Sequence, residues 1–187
     1  MKILGIAGSL RQDSWNRKLL LSAQELVPDG VELELWDGLK AIPPYDEDDD
    51  RDPAPAAVAE LRSAIAGADA ILFATPEYNS SIPGQLKNAL DWVSRPYATN
   101  PLRNRPVAVV GASSGLFGAV WAQAELRRVL GAIGARVFES GVAVGQAQNQ
   151  FGDDGRLLQS HFRDELAGVV TGLLELVWER ERVLVAA

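Results

Sequence analysis

A chain of 187 residues, 47% hydrophobic and 23% charged, has the length and composition of one soluble globular domain, residues 1–187, with room for a sizeable core. Its formal net charge of −7 argues against nucleic acid as a partner, because phosphate backbones are met by basic surfaces, although a local positive site can still hold one small anion. With no cysteine and only His161 as histidine, thiol nucleophiles, disulfides, iron–sulfur clusters and Cys- or multi-His metal centres are excluded, so any redox chemistry must use a borrowed group.

In chain order, Ile3 to Ala7 reads as a buried strand ended by Gly8. Its apolar run is too short for a secretory signal, and no later segment approaches the ~20 apolar residues of a membrane helix. The expected location is cytoplasmic, with no membrane insertion. Trp15, Leu19, Leu20, Ala23, Leu26 and Val27 recur at helical spacing, and Pro28-Asp29-Gly30 stops that helix. Val31 to Trp36 alternates apolar residues with Glu32 and Glu34, the pattern of a strand with one face less buried.

Asp37 to Pro55 reads as a long irregular stretch with four prolines and the acidic run Asp46 to Asp50. That run has neither the glycine nor the spacing of a calcium loop, and reads as a solvated loop. A helix over Val58, Leu61, Ala64, Ile65 and Ala68 follows, then the uniformly apolar strand Ala70 to Thr75. Gly84 to Val93 is expected to be helical, Pro106 to Gly111 a strand, and Phe117 to Ile133 a helix with Trp121 in its core face. Arg136 to Phe138, continuing toward Val144, makes a last strand. Phe162, Leu166, Val169, Val170, Leu173, Leu174 and Val177 form the apolar face of a closing helix, and His161 beside it reads as structural.

Strands that alternate with helices and are apolar throughout predict an α/β fold: a flavodoxin-like, doubly wound sandwich around a five-stranded parallel sheet. Right-handed crossovers then bring the loops that follow the strands to one sheet edge, where ligands bind. Three such loops hold the unusual residues. The first, Gly8 to Asn16, places Ser9, Arg11, Ser14 and Asn16 just before a helix, where free N–H groups and the helix dipole favour a phosphate. Ser9, Ser14 and Asn16 can donate to phosphate oxygens and Arg11 can add a charge-assisted bond, while Ser14 alone could equally be a helix cap. Neither a P-loop nor a G-x-G-x-x-G fingerprint is present.

The second loop, Pro76 to Gly84, is stiffened by Pro76 and Pro83, offers the flat face of Tyr78, and has Asn79 to bond a heterocycle edge; Pro83 could also simply open the next helix. The third, Gly111 to Gly118, is rich in small residues that let a planar ring approach the backbone, and by itself could be a surface turn. Together the three describe a site for a mononucleotide with a planar ring.

At these residues the sequence resembles the NADPH-dependent FMN reductases, a family that includes quinone, chromate and azo-dye reductases. Gly8-Ser9-Leu10-Arg11-x-x-Ser14-x-Asn16-x-x-Leu19 is similar to the family's phosphate loop. Pro76-Glu77-Tyr78-Asn79-x-Ser81-x-Pro83-Gly84-x-Leu86-Lys87-Asn88-Ala89-x-Asp91-Trp92 is similar to its flavin-ring motif and following helix. The resemblance implies that Ser9, Arg11, Ser14 and Asn16 hold the FMN phosphate. It implies that Pro76, Glu77, Tyr78 and Asn79 lie along the isoalloxazine, with Ser113 and Gly115 near its other side. It also implies a homodimer or homotetramer, with the helix around Leu86 to Trp92 at the subunit contact. One departure stands out: where the family commonly reads Gly-Gly-Ala-Arg, this chain has Gly118-Ala119-Val120-Trp121.

The expected activity is FMN-dependent transfer of electrons from NADPH (or NADH) to a small acceptor such as a quinone, azo compound or metal oxyanion, by a ping-pong route. The flavin carries the chemistry, so no catalytic side chain and no metal are expected. The alternatives are a flavin reductase that releases reduced FMN to a partner, a flavodoxin-type electron carrier, and a nucleotide sensor.

Overall fold

The two most uniformly apolar segments of the chain take the middle of one sheet. The structure, a computed structural model, describes residues 1–185. β1 (Lys2–Ala7) lies between β2 (Glu32–Trp36) and β3 (Ala70–Thr75), and β4 (Pro106–Ala112) follows β3. β3 and β4 are buried at every position. β5 (Arg136–Val137) and β6 (Ala143–Val144) both pair with β4, giving the order β2-β1-β3-β4-β5 with every described pairing in the sheet parallel. This is the flavodoxin-like order, in which the chain reverses direction of travel between β1 and β3.

Strands without a polar side need cover on both faces, and the alternation of side chains decides what each face receives. Leu4, Ile6, Ile71, Phe73, Val107 and Val109 point to one core, against α2 (Ala56–Ala66), α3 (Gly84–Val93) and α4 (Val120–Ile133). Ile3, Leu72, Ala74, Ala108 and Val110 point to the other, against α1 (Trp15–Gln24) and α5 (Ser160–Val185). The helix residues that meet them recur at three and four positions, as in Val58, Leu61 and Ile65. Each large side chain buried in this way stabilises the fold by roughly 1.5–3 kcal/mol. None of the helices described is long and apolar enough to cross a membrane.

The sequence-based boundaries shift where the backbone meets a special requirement. α4 begins at Val120 rather than Phe117 because Gly118 and Ala119 adopt left-handed conformations, with φ of 58° and 63°. A Cβ on Gly118 would lie 2.3 Å from the Ala143 carbonyl carbon, so only glycine fits there. The last strand is not continuous to Val144. It breaks between β5 and β6, and the Phe138 ring packs against Gly172 of α5, where a Cβ would come within 2.2 Å of it. α1 stops at Gln24 and leaves Leu26 and Val27 half-buried beyond it, while α5 runs well past the expected Val177.

The stretch from Asp37 to Pro55 contains two short 3₁₀ turns, Gly38–Ala41 and Glu47–Asp49, and is pinned to one side of α3. Gln85 Nε2 donates to the carbonyls of Leu39 and Ile42 at 2.9 and 2.8 Å. Asn88 donates to Pro43 O at 2.8 Å and accepts from Tyr45 N–H at 2.7 Å, and Trp92 Nε1 donates to Pro43 O at 2.9 Å. In the acidic run, Asp46, Glu47, Asp48 and Asp49 are exposed, whereas Asp50 turns inward to the Arg62 guanidinium at 2.9 Å.

Candidate functional site

Beyond the C-terminal ends of β1, β3 and β4 the three loops converge on one open cleft. Ser9, Arg11, Ser14 and Asn16 line it from the first loop, Pro76, Glu77 and Tyr78 from the second, and Ser113 from the third. Of the residues expected from the sequence, Asn79 and Gly115 belong to the same loops but do not form its wall. The cleft lies at the β1/β3 reversal, where the topology separates neighbouring loops and leaves room for a ligand.

The first loop is held at its base by Gly8, whose N–H donates to Ala74 O at 2.8 Å. A Cβ there would press to 2.9 Å from Leu86 of α3, so glycine permits the close approach of the first loop to the second. The chain then enters α1 through Ser14, which is buried and accepts from the N–H groups of Asn16 and Arg17 at 3.2 and 3.4 Å. Ser14 is therefore the helix cap. Its hydroxyl accepts from the helix and keeps its proton to donate into the cleft. The N–H groups of Gln12, Asp13, Ser14 and Trp15 find no acceptor among the described residues. Successive free N–H groups at a helix start, beside a guanidinium, form a cradle for a phosphate or another compact anion.

Arg11 is exposed, and its only described side-chain bond is a 3.3 Å contact to Asp13 O. The Lys18 ammonium, 2.6 Å from Asp13, hydrogen-bonds that carboxylate and lowers its pKa from the ordinary value, with a smaller contribution from the Arg11 charge. Lys18 also lies over the Trp15 ring at 4.4 Å, and Trp15 stacks on Phe151 at 5.5 Å between centroids. Trp15 also lines the cleft, a role the sequence did not announce because it reads as an ordinary apolar helix residue.

Asn16 differs from the expected phosphate donor. It is buried, its Nδ2 donates to Ala112 O and its Oδ1 accepts from Ala112 N–H, both at 2.9 Å. This pair fastens the start of α1 to the end of β4 across 96 residues of sequence. The amide retains one proton for a ligand; its main work is to hold the first loop against the third.

The second loop contains a two-residue reversal. Tyr78 and Ser81 exchange main-chain bonds of 3.0 and 3.1 Å, and Asn79 and Ser80 between them have φ of 54° and 61°. These are the marks of a tight type I′ turn, which fixes the Tyr78 ring, 48% exposed, at the mouth of the cleft. The Glu77 carboxylate is engaged at the edge of the cleft, where it accepts from the N–H groups of Trp121 and Ala122, each at 3.0 Å. It supplies the N-terminal cap that Ala119 cannot give to α4, and so ties the second loop to the helix after the third.

Trp121 is not a core residue as expected. It is 51% exposed in the first turn of α4, edge-on to Phe117 at 5.2 Å. The buried face of α4 runs through Ala122, Leu126, Leu130 and Ile133, and Trp121 falls one position out of that phase. His161 is exposed in the first turn of α5, 4.0 Å from the Phe162 ring, and lines no part of the cleft.

A family model for NADPH-dependent FMN reductases matches residues 1–149. An NAD(P)H-dependent FMN reductase of Pseudomonas aeruginosa is 46% identical over 165 residues, 88% of each chain. A 2-hydroxy-1,4-benzoquinone reductase of a Burkholderia species is 41% identical over 129 residues, 69% of each chain. Among solved structures, the flavoenzyme NAD(P)H:(acceptor) oxidoreductase of Paracoccus denitrificans superimposes with a TM-score of 0.85 at 34% identity, over 96% of this chain and 98% of that one.

Proposed function

Since the chain belongs to the NADPH-dependent FMN reductase family, it is an FMN-dependent NAD(P)H oxidoreductase, and we propose that the cleft between its three loops is where the FMN is held. The observation that carries this reading is the run of unpaired N–H groups from Gln12 to Trp15, set beside Arg11 and the hydroxyls of Ser9 and Ser14. These groups hold the phosphate. Asn16 keeps that loop in place and offers its remaining amide proton. The second loop lies along one side of the isoalloxazine, with Pro76, Glu77 and Tyr78 in the cleft wall and Asn79 in the turn outside it, and the third loop lies along the other, with Ser113 in the wall and Gly115 outside it.

When bound, FMN supplies the electron exchange between a reduced nicotinamide and an acceptor. The chain's own residues bind, orient and keep water away; the reading requires no side chain as nucleophile or proton carrier. Tyr78 at the cleft mouth offers a flat contact for whichever planar substrate is present. Donor and acceptor use this one opening in turn, and the acceptor is a small molecule, a quinone, an azo compound or a metal oxyanion. The 2-hydroxy-1,4-benzoquinone named for the Burkholderia relative favours the quinone. The protein works in the cytoplasm as a homodimer or homotetramer, with the helix around Leu86 to Trp92 at the contact through its exposed side.

Anaerobic titration of the FMN-loaded protein with NADPH and with NADH, followed by flavin absorbance, tests the assignment. Bleaching by a nicotinamide alone is expected, and an absorbance that stays oxidised would remove the donor from the scheme. Steady-state turnover with a quinone should give parallel double-reciprocal lines. Lines that converge would mean that both substrates are bound together.

A further inference from the structure

A second cleft, of about 390 Å³, opens on the other side of the first loop, beyond the ends of β1 and β2. It shares Ser9 and Arg11 with the flavin cleft, so the two clefts lie on either side of one loop. Its size falls within the range of ordinary small-molecule sites. Three cations, Arg11, Arg17 and Lys40, line it against a single carboxylate, Asp37. That excess is local and runs against the net charge of −7 for the whole chain.

The individual groups suit a phosphorylated sugar more than a bare ion. Arg17 is steadied by Asp37 at 3.0 Å, which fixes the guanidinium while leaving other N–H donors free. Lys40 is exposed and has no carboxylate partner among the described residues. Trp36 and Leu39 give the cleft an apolar side, and the Trp36 indole N–H is buried with no acceptor among the described residues. An arginine held by a strand-end carboxylate can still accept a sugar phosphate through its remaining N–H donors. Here the carboxylate is already engaged by Arg17, and the cations dominate.

We propose that this cleft is the seat of the adenosine end of the nicotinamide donor, with its 2′-phosphate received by Arg17 and Lys40. The inference rests on the reading of the neighbouring cleft as the flavin site, and it gives the enzyme a physical basis for preferring NADPH to NADH. The basic cluster was invisible in the sequence because Arg11 and Arg17 come from the first loop and α1, whereas Lys40 comes from the turn after β2.

Calorimetric titration with adenosine 2′,5′-bisphosphate and with 5′-AMP, on protein with and without added FMN, tests the site directly. The bisphosphate should bind at least tenfold more tightly than 5′-AMP. Lys40→Gln and Arg17→Gln should each erase most of that advantage while the affinity for 5′-AMP stays within about twofold. Equal affinity for the two nucleotides, or bisphosphate binding unmoved in both variants, overturns the proposal. So does displacement of the bisphosphate by an equal concentration of inorganic phosphate, which would leave only an anion hole. The FMN stoichiometry of the same samples separates the two readings. Protein that takes up no FMN defeats the flavin assignment, whereas protein that takes up FMN but does not distinguish the nucleotides defeats this one alone.

Discussion

Arg11 and Asn16 sit a few residues apart in one loop and do different work. Arg11 is an exposed guanidinium with one long 3.3 Å bond to Asp13 O, beside unpaired N–H groups, so its loss should be felt by the ligand and hardly by the fold. Arg11→Ala is expected to weaken FMN binding by roughly 1.5–3 kcal/mol, the value of a hydrogen bond to a charged group, in a fluorescence titration. Unchanged FMN affinity would take Arg11 out of the phosphate site. Asn16→Ala should act on the fold instead. It leaves both the N–H and the carbonyl of Ala112 buried without partners, at about 1–3 kcal/mol each, so urea unfolding should show a loss of roughly 2–6 kcal/mol. The residue types in this loop were legible in the sequence, and so was the affinity of their neighbourhood for an anion. The partner of Asn16 was not, because it is main chain on a distant strand and carries no side-chain signature. Trp121 was misread for a related reason. An apolar side chain within an apolar helix looks like core until the start of the helix, and hence its phase, is known.

At the scale of elements, the site is assembled by ties between one loop and the helix that follows another. Ser14 caps its own helix, as its sequence position suggested, but α4 is capped from outside by Glu77. A carboxylate facing the start of a helix gains from both the hydrogen bonds and the helix dipole. Glu77→Ala should therefore lower stability by about 1 kcal/mol in thermal or urea unfolding, with faster amide exchange at the first turn of α4. Exchange protection there equal to that of the parent protein would show that the cap contributes nothing. The identities of helices and strands came through well from periodicity. What did not come through were boundaries set by a left-handed pair such as Gly118-Ala119, or by a ring such as Phe138 leaving its strand to pack on Gly172. The irregular look of Asp37 to Pro55 also concealed an ordered course. Its anchors are the side chains of Gln85, Asn88 and Trp92, which belong to another part of the chain.

For the molecule as a whole, a ligand that touches three loops from one sheet edge should stabilise all of them together. FMN at a hundred times its dissociation constant adds about 2.7 kcal/mol to the folded state, which should raise the melting temperature by about 5–10 °C. A melt indifferent to FMN would contradict a resident flavin. The five-stranded parallel architecture was readable because its apolar strands carry their own label, and the crossover rule then placed the loops without further information. The second cleft was not readable, since it depends on a turn after β2 meeting the first loop in space. The bonds from α3 to the Asp37–Pro55 stretch have one more outcome, for protein engineers. The helix that carries the Tyr78 turn at its head grips that stretch through three side chains. A chimera that imports the ring-facing segment from a cousin, hoping to change its acceptor, will have to import the earlier stretch with it. Otherwise the donor helix will arrive with polar hooks and nothing to hang them on.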